Sequence, residues 1–538
     1  MALSLTAEQK SILTIFSGNS QYIIPPYQRQ YSWQEEQCAE LFEDLKRAFL
    51  ENSKEGYFLG NIIIAKNSDS KNKLEVIDGQ QRLITLTLFI KVLLSHDESN
   101  DDLKKAIWLT DSRTKEIIEQ RLVTNVFEDK DAKYLKEALD LNFDDTNCQK
   151  IDKNENNFLK NICYFYNEIS EFSKNNTIQE FVDFILYEVT LLPIETEDND
   201  QNKAREKALK IFETINDRGM SLSDSDIFKA KLYSMALNEL NQDNFIEKWK
   251  DLDSECSNID YKIDDIFKIY THIIRGQKGI KSSEIGLREF YTQNEHSPFE
   301  NKSYEVIVND LFEIIYVVKF YKNIIQNTHI DNTLSKWFQL IDNYTNQYPL
   351  MAFFVYIYKN GTNNHSGIAY FSKNLIRFAY AQGSTTRIKY KIYNVIIDVM
   401  HGKEFSYIPQ NIEKSSFEYL GALKNPFSLL CFYLDKNQEA IFPYYFDKIL
   451  HPKDEKNFNS SWQHINIYEV KDTLGNFYVA DFPKKNIALE KRIDNIRNSK
   501  IKDLQELSQK LYNWNYEEYK QRDEEFKERL LRFFRDED

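Results

Sequence analysis

The sequence predicts an α+β fold that is predominantly helical, and three observations predict it. Apolar residues recur at helical spacing over residues 100–185 and again, rich in aromatics, over 236–410. Two β-rich runs, "YFLGNIIIA" (57–65) and "KLEVID" (73–78), flank the polar turn "KNSDSKNK". Residues 444–486 break into short alternating runs among Pro, Gly, His and Asn, and a long charged helix follows to the end. Domain boundaries are accordingly expected at 1–235, 236–410 and 411–538, with no internal repeat.

A chain of 538 residues has length for roughly two to four domains. Its 42% hydrophobic and 28% charged residues, with sparse Gly and Pro, match a folded globular composition rather than a disordered one. The apolar run "LITLTLFI" stops at Lys91, well short of the roughly 20 residues that span a bilayer. The first residues, "MALSLTAEQKS", lack the basic and apolar regions of an export signal, so a cytoplasmic protein with no membrane partner is expected. Cys38, Cys148, Cys163, Cys256 and Cys431 lie far apart, which argues against a disulfide framework and a zinc ribbon. The net charge of −15 opposes a broad nucleic-acid surface and leaves room only for a local basic site.

Taken in order, residues 4–16 read as a short helix, and Pro25 and Pro26 keep "QYIIPPYQRQYSW" extended. Ser32 and Glu35 read as a capping box for a helix carrying Cys38, Leu41, Phe42, Leu45 and Phe49 on one face. The "KLEVID" strand runs through Asp78 and Gly79 into a helix with Leu83, Leu86, Ile90 and Leu94 in register. "FILYEVTLLPIET" (184–196) reads as a further strand, and a helix is expected over about 201–215. In "NDRGMSLSDSDIFKAKLY" Gly219 suits a helix end, and Ser223 with Asp226 starts the next helix.

Two N-terminal clusters can carry chemistry. In "EVIDGQQR", Gly79 permits close backbone approach and the helix that follows offers free N–H groups to an anion. Arg82 suits a phosphate, Asp78 suits Mg²⁺ or a ribose hydroxyl, and Gln80 and Gln81 suit a base or a water. Taken alone, the same residues also read as a plain turn. In "IPPYQRQYSW", Tyr27, Tyr31 and Trp33 surround Gln28 and Arg29, which fits either stacking on a nucleotide or an aromatic mini-core.

"IPPYQRQYSW", "FLGNIII", "EVIDGQQRLITL" and "IFETINDRGMSLSDSDIFKAKL", in this order over residues 22–232, resemble the N-terminal domain of GmrSD-type and SspE-type bacterial anti-phage restriction proteins. That domain is similar to the ParB and sulfiredoxin fold. The resemblance implies a site that binds and hydrolyses a nucleoside triphosphate (GTP, ATP and CTP are not distinguished) with Mg²⁺ or another divalent metal. Its residues would be Asp78, Gly79, Gln80, Gln81 and Arg82, with Tyr27, Gln28 and Arg29 nearby and Asn216, Asp217 and Arg218 at the border. Asp78 and Arg82 would be its catalytic groups.

The C-terminal region resembles the HNH nuclease domain that accompanies this N-terminal domain, a ββα-metal architecture with flanking helices. The family pattern is an acid-His-Ile-x-Pro segment, a "GN" segment and a later Asn. It implies a His as base, an Asn that orients the water, and an acid with a helix residue on one divalent metal. "LGNFYVADFPKKN" supplies Gly475, Asn476 and Asn486, and "FDKILHP" supplies Asp447. Asp447 and Asn486 would then hold the metal and Asn476 would serve catalysis. Lys448 stands where the base belongs, and a lysine is a poor base near neutral pH. His451 replaces it only if the strand ends or bulges after Lys448; otherwise it is a surface residue before a proline. His464 has no position in the pattern. Lys484, Lys485 and Arg492 belong to a basic run that reads as a DNA contact or as a solvated helix face.

The expected function is therefore bacterial anti-phage defence: an NTP-binding sensor of foreign, and in some relatives modified, DNA coupled to an HNH-type nuclease. The expected partners are DNA, a second copy of the chain or other defence proteins. Lys448 sustains the alternative, a nuclease-inactive nucleotide- and DNA-binding module acting with a partner nuclease.

Overall fold

The computed structural model describes all residues except 1–4, 52–55, 69–71, 112, 115, 127–129, 144–147, 149–155, 216–222, 239–240, 293–294, 345, 383–384, 419, 436, 452–459, 463, 484–488, 512–513 and 538. The chain is α+β and divides into two compact units, Met1–Trp249 and Lys250–Asp538.

The first unit is built on a mixed sheet of seven strands: β1 (Leu5–Ala7), β2 (Lys10–Ser11), β3 (Gln21–Ile24), β4 (Tyr57–Asn67), β5 (Lys73–Asp78), β8 (Leu122–Thr124) and β9 (Val189–Asp198). Their order is β1-β9-β4-β5-β3-β8, with β2 also on β9. β3 runs parallel to β5 and β8, and β4 runs antiparallel to β5 and parallel to β9. A small hairpin, β6 (Trp108–Thr110) and β7 (Ile117–Gln120), stands apart.

Helices α1 (Ile12–Phe16), α2 (Glu35–Leu50), α3 (Gln80–His96), α4 (Asp101–Ile107), α5 (Lys130–Leu139) and α6 (Asn157–Phe172) share one hydrophobic core. α3 is buried on nearly every side, as a helix apolar all round must be, and packs on α6. Phe89 of α3 meets Phe42 of α2 and Phe165 of α6 edge-on. α7 (Gln201–Ile215) lies against β4, β5 and β9, and α8 (Asp224–Asn238) follows.

Four local expectations are corrected. Only residues 12–16 of the first segment are helical; the chain before them pairs with β9, because edge positions on a distant strand override local helix preference. The cap of α2 is Gln34, whose N–H donates to Gln37 Oε1 at 2.8 Å, since Ser32 is held elsewhere. Residues 184–188 form a π-helical turn and β9 begins at Val189; a short apolar run does not distinguish buried helix from buried strand. The 100–185 stretch contains β6, β7 and β8 between its helices. Ser223 does cap α8, accepting from Asp226 N at 3.3 Å. Cys148 and Cys163 form a disulfide with Cα atoms 5.1 Å apart, a single bridge rather than a framework, while Cys38, Cys256 and Cys431 are buried thiols.

In the second unit, α9 (Ile263–Lys278) packs against α10 (Tyr304–Gln326), α11 (Tyr348–Asn360) and α12 (Thr385–Met400). Further along, β10 (Tyr445–Lys448) and β11 (Phe477–Ala480) form an antiparallel hairpin pairing Asp447 with Tyr478 and Lys448 with Phe477. α13 (Leu489–Arg497) follows it, and α14 (Tyr516–Arg535) closes over the turn at 474–476. Among the described residues no helix is long and apolar enough to cross a membrane.

Candidate functional site

β5 ends at Asp78 and α3 begins at Gln80, so the whole reversal falls on Gly79. Gly79 has φ +91, and a Cβ there would come within 2.6 Å of Ile62 Cγ2 on β4; both facts require glycine. Its carbonyl accepts from Leu83 N at 2.9 Å and starts the helix. The preceding N–H groups at the helix start face no helical partner, the general property that makes such ends anion sites.

The side chains around this turn divide by task. Arg82 Nη1 donates to Asn61 O at 2.7 Å, and its guanidinium lies over Gly60, where a Cβ would sit 3.4 Å away. Gly60 falls in an irregularity of the β4–β9 pairing, between Phe58 and Asn61. Burial raises the Asp78 carboxyl above its ordinary value, opposed by the Gly79 N–H, Arg82 and Arg29. Burial likewise lowers the Arg82 guanidinium, while Asp78 supports its charge.

Gln80 is 4% exposed, and among the described residues neither its Nε2 nor its Oε1 has a partner. A buried amide with both ends open is rare unless something binds it. Gln81 differs: Oε1 accepts from Ser32 N at 2.8 Å and Trp33 N at 3.3 Å, and Nε2 donates to Gln30 O at 3.0 Å. It clamps the "YQRQYSW" segment to α3.

That segment is mostly core. Tyr27 is 2% exposed and its hydroxyl donates to Glu75, which pairs with Arg205 (Nη2–Oε2 2.7 Å) and accepts from Gln201 at 2.8 Å. Tyr31 is buried between Thr85, Asn161 and Phe158, and Trp33 packs on the core edge. Gln28 Nε2 donates to Ile77 O at 2.8 Å. Arg29 is exposed and close enough to Asp78 to act on its charge. Of the expected residues, the structure thus brings Asp78, Gly79, Gln80, Arg82 and Arg29 to one place. It commits Tyr27, Gln28 and Gln81 to holding the segments together. Asn216, Asp217 and Arg218 lie outside the described residues.

Residues 12–233, which contain the sheet and this turn, match the family model "GmrSD restriction endonuclease, N-terminal domain". Over these residues the chain is similar to that domain. The comparison with curated proteins finds no match. Outside that match, the hairpin at 445–480 is described by its own geometry.

β10 ends at Lys448, and the chain then turns so that His451 Nε2 stands 3.1 Å from Asp447 Oδ1. Lys448 points away, with Nζ 2.8 Å from Asp472 Oδ1, and Lys424 shares that carboxylate at 3.2 Å. His451 is therefore half-buried beside the acid rather than a surface residue.

Asn476 makes this turn. Its Oδ1 accepts from Leu450 N at 2.8 Å, and its Nδ2 donates to Leu450 O at 3.0 Å and Lys471 O at 3.2 Å. The expectation that Asn476 orients a water is corrected, because its amide is spent on the backbone. Gly475 has a parallel reason: a Cβ there would come within 2.8 Å of Asp523 Cβ on α14.

Arg492 is also corrected as a surface contact; it is 3% exposed, and its Nη2 donates to Ile449 O at 2.8 Å, fastening α13 to the hairpin. Lys484, Lys485 and Asn486 lie outside the described residues, and His464 is exposed in a turn. Tyr478, whose hydroxyl lies 3.4 Å from Asp447 Oδ2, was not singled out by sequence. Its signal was available in the pairing of "FDK" with "FYV".

Proposed function

We propose that this protein is a nucleotide-dependent restriction endonuclease acting on foreign DNA in bacterial defence. The observation that carries the reading is Gln80, a buried amide open at both ends, placed at the start of α3 between Asp78 and Arg82. A nucleoside triphosphate fits this place: the α3 N-terminus takes its phosphates, Arg82 adds charge-assisted hydrogen bonds, and Gln80 orients the base or the attacking water. Asp78 would hold Mg²⁺, which supplies charge neutralisation of the phosphates. Arg29 neutralises the rim from the exposed side.

The second part of the reading is an HNH-like hairpin. Asp447 orients His451, whose imidazole takes a proton from the attacking water, and Lys484 and Lys485 meet the DNA backbone. Asp447 with Asn486 would hold a divalent metal that stabilises charge on the cleaved phosphate. The domain plan of this reading is nucleotide binding in 1–235, a helical link over 236–410, and cleavage in 411–538.

A second reading, a nuclease-inactive module working with a partner nuclease, is favoured by Lys448, which stands at the family's base position and is bound to Asp472. The test is nicking of phage and plasmid DNA by the full chain with Mg²⁺ and GTP, ATP or CTP. Cleavage with one of them, lost about a hundredfold in His451→Ala, is expected. Asp78→Ala/Arg82→Ala is expected to abolish NTP binding in calorimetry. No nicking under any combination, with cleavage gained in Lys448→His, would establish the second reading. Asn476 variants are uninformative here, since they unmake the turn.

A further inference from the structure

Lys448 stands where the HNH pattern expects a general base, and its surroundings fit a different task. Successive residues of a strand face opposite ways, so Asp447 turns to His451 and Tyr478 while Lys448 turns to the other side of the hairpin. There its Nζ bonds Asp472 Oδ1 at 2.8 Å, and Lys424 Nζ bonds the same oxygen at 3.2 Å. Two ammonium groups thus share one carboxylate oxygen, and among the described residues neither has a second acid.

This charge is held in place. Lys448 Nζ stands 5.3 Å from the centre of the Phe477 ring, and its side chain is 20% exposed, so the ammonium is fixed and still reaches solvent. Lys424 is the first residue of the helix Lys424–Tyr433, whose N-cap Leu423 supplies no side-chain hydrogen bond, so the positive end of the helix dipole adds to the same charge. Lys471 adjoins Asp472 in sequence, stands 4.7 Å from the centre of the exposed Tyr468 ring, and has no ion pair among the described residues. Burial works against the Asp472 charge, yet Lys448 and Lys424 hold its carboxyl below the ordinary range. Glu469, the other acid of this stretch, accepts from Asn466 Nδ2 at 3.5 Å instead. Three cations to two acids is a local excess of positive charge, in a chain whose net charge is −15. An anion with several acceptor oxygens satisfies both shared ammonium groups at once, as a phosphodiester does.

We propose that Lys448 and Lys424 together hold one phosphodiester of the DNA backbone, with Lys471 at its flank, and that Asp472 keeps the pair positioned until DNA takes its place. The contact positions the duplex and takes no part in cleavage. Its phosphate meets the face of the hairpin opposite Asp447 and His451, so it is not the phosphate that is cut. The inference rests on the DNA-acting reading above, and it holds whether the hairpin cuts DNA or only binds it.

The test is fluorescence anisotropy of the full chain with two labelled duplexes of unrelated sequence, across a salt series and without divalent metal, so that the DNA stays whole. Lys424→Gln/Lys448→Gln is expected to weaken binding about tenfold, equally on both duplexes, and to lower the slope of log affinity against log salt by about one. Lys448→Arg keeps the charge and is expected to bind as wild type does. Asp472→Asn removes the competing carboxylate and is expected to tighten binding more than the same loss of charge in Glu295→Gln, a gain that a merely structural ion pair would not produce. Wild-type binding that Lys424→Gln/Lys448→Gln leaves unchanged in affinity and salt slope overturns this proposal alone. No binding of either duplex by wild type overturns the DNA-acting reading with it. Single-stranded RNA held more tightly than duplex, with the same dependence on Lys448, overturns the choice of DNA.

Discussion

Single residues in this chain often do framework work where their chemistry suggests catalysis. Gly79 is the clearest requirement. A side chain there meets both a left-handed backbone and Ile62, so Gly79→Ala is expected to destabilise the first unit by about 1–3 kcal/mol. Thermal unfolding reads this, and a variant as stable as wild type would remove the steric argument. His272 gives a pH-dependent counterpart. Its ordinary value of 6.5 in the unfolded chain falls to about 4 in the fold, driven by burial, opposed by Glu284 and assisted by Arg275 and Lys389. The unfolded state therefore binds the extra proton between those values, and stability is full above about pH 6.5 and declines toward pH 4. By one unit per 1.36 kcal/mol, the stability difference between wild type and His272→Phe should change by about 2 kcal/mol between pH 7.5 and pH 5. Urea unfolding of the second unit at both pH values measures it, and a pH-independent difference would contradict the burial of a neutral ring.

At the scale of elements, the first unit is tied together by β5 and α7. Glu75 on β5 is paired with Arg205 on α7, side chains 11% and 5% exposed, and Tyr27 and Gln201 complete the carboxylate's hydrogen bonds. Removing one partner leaves a buried charge, so Arg205→Ala is expected to lower stability by about 3–5 kcal/mol, whereas Tyr27→Phe should lose about 1 kcal/mol. Equal small losses in denaturant unfolding would show that water reaches Glu75. This pair also explains what was legible. The strand, the Asp-Gly turn and the helix of "EVIDGQQRLITL" could be read because their signals are local. The role of Tyr27 could not, because its partner Glu75 lies 48 residues away and reads as one acid in a strand. Gln81 likewise depends on Ser32 and Trp33, and the helix expected over residues 4–16 lost its first part, before Ile12, to pairing with β9. At the hairpin, "DKILHP" left two placements for His451. The turn that decides between them is held by Asn476, from the distant turn that precedes β11.

At the scale of the whole molecule, the domain match stops at residue 233 and the first compact unit ends at Trp249, so the matched segment lies wholly within that unit. The sheet, the α3 turn and the core of α1 to α6 all lie before it, which is the condition for a segment to fold alone. Residues 1–249 expressed by themselves are expected to unfold cooperatively and to bind the same nucleoside triphosphate as the full chain, with an affinity within about tenfold. DNA cleavage should be absent, because Asp447 and His451 lie in the other unit. Calorimetric titration of the fragment beside the full chain, together with a nicking assay, separates the outcomes. A folded fragment that fails to bind would mean the second unit completes the nucleotide site. A fragment that cuts DNA would move the nuclease into the first unit and leave the Asp447–His451 pair as structure alone.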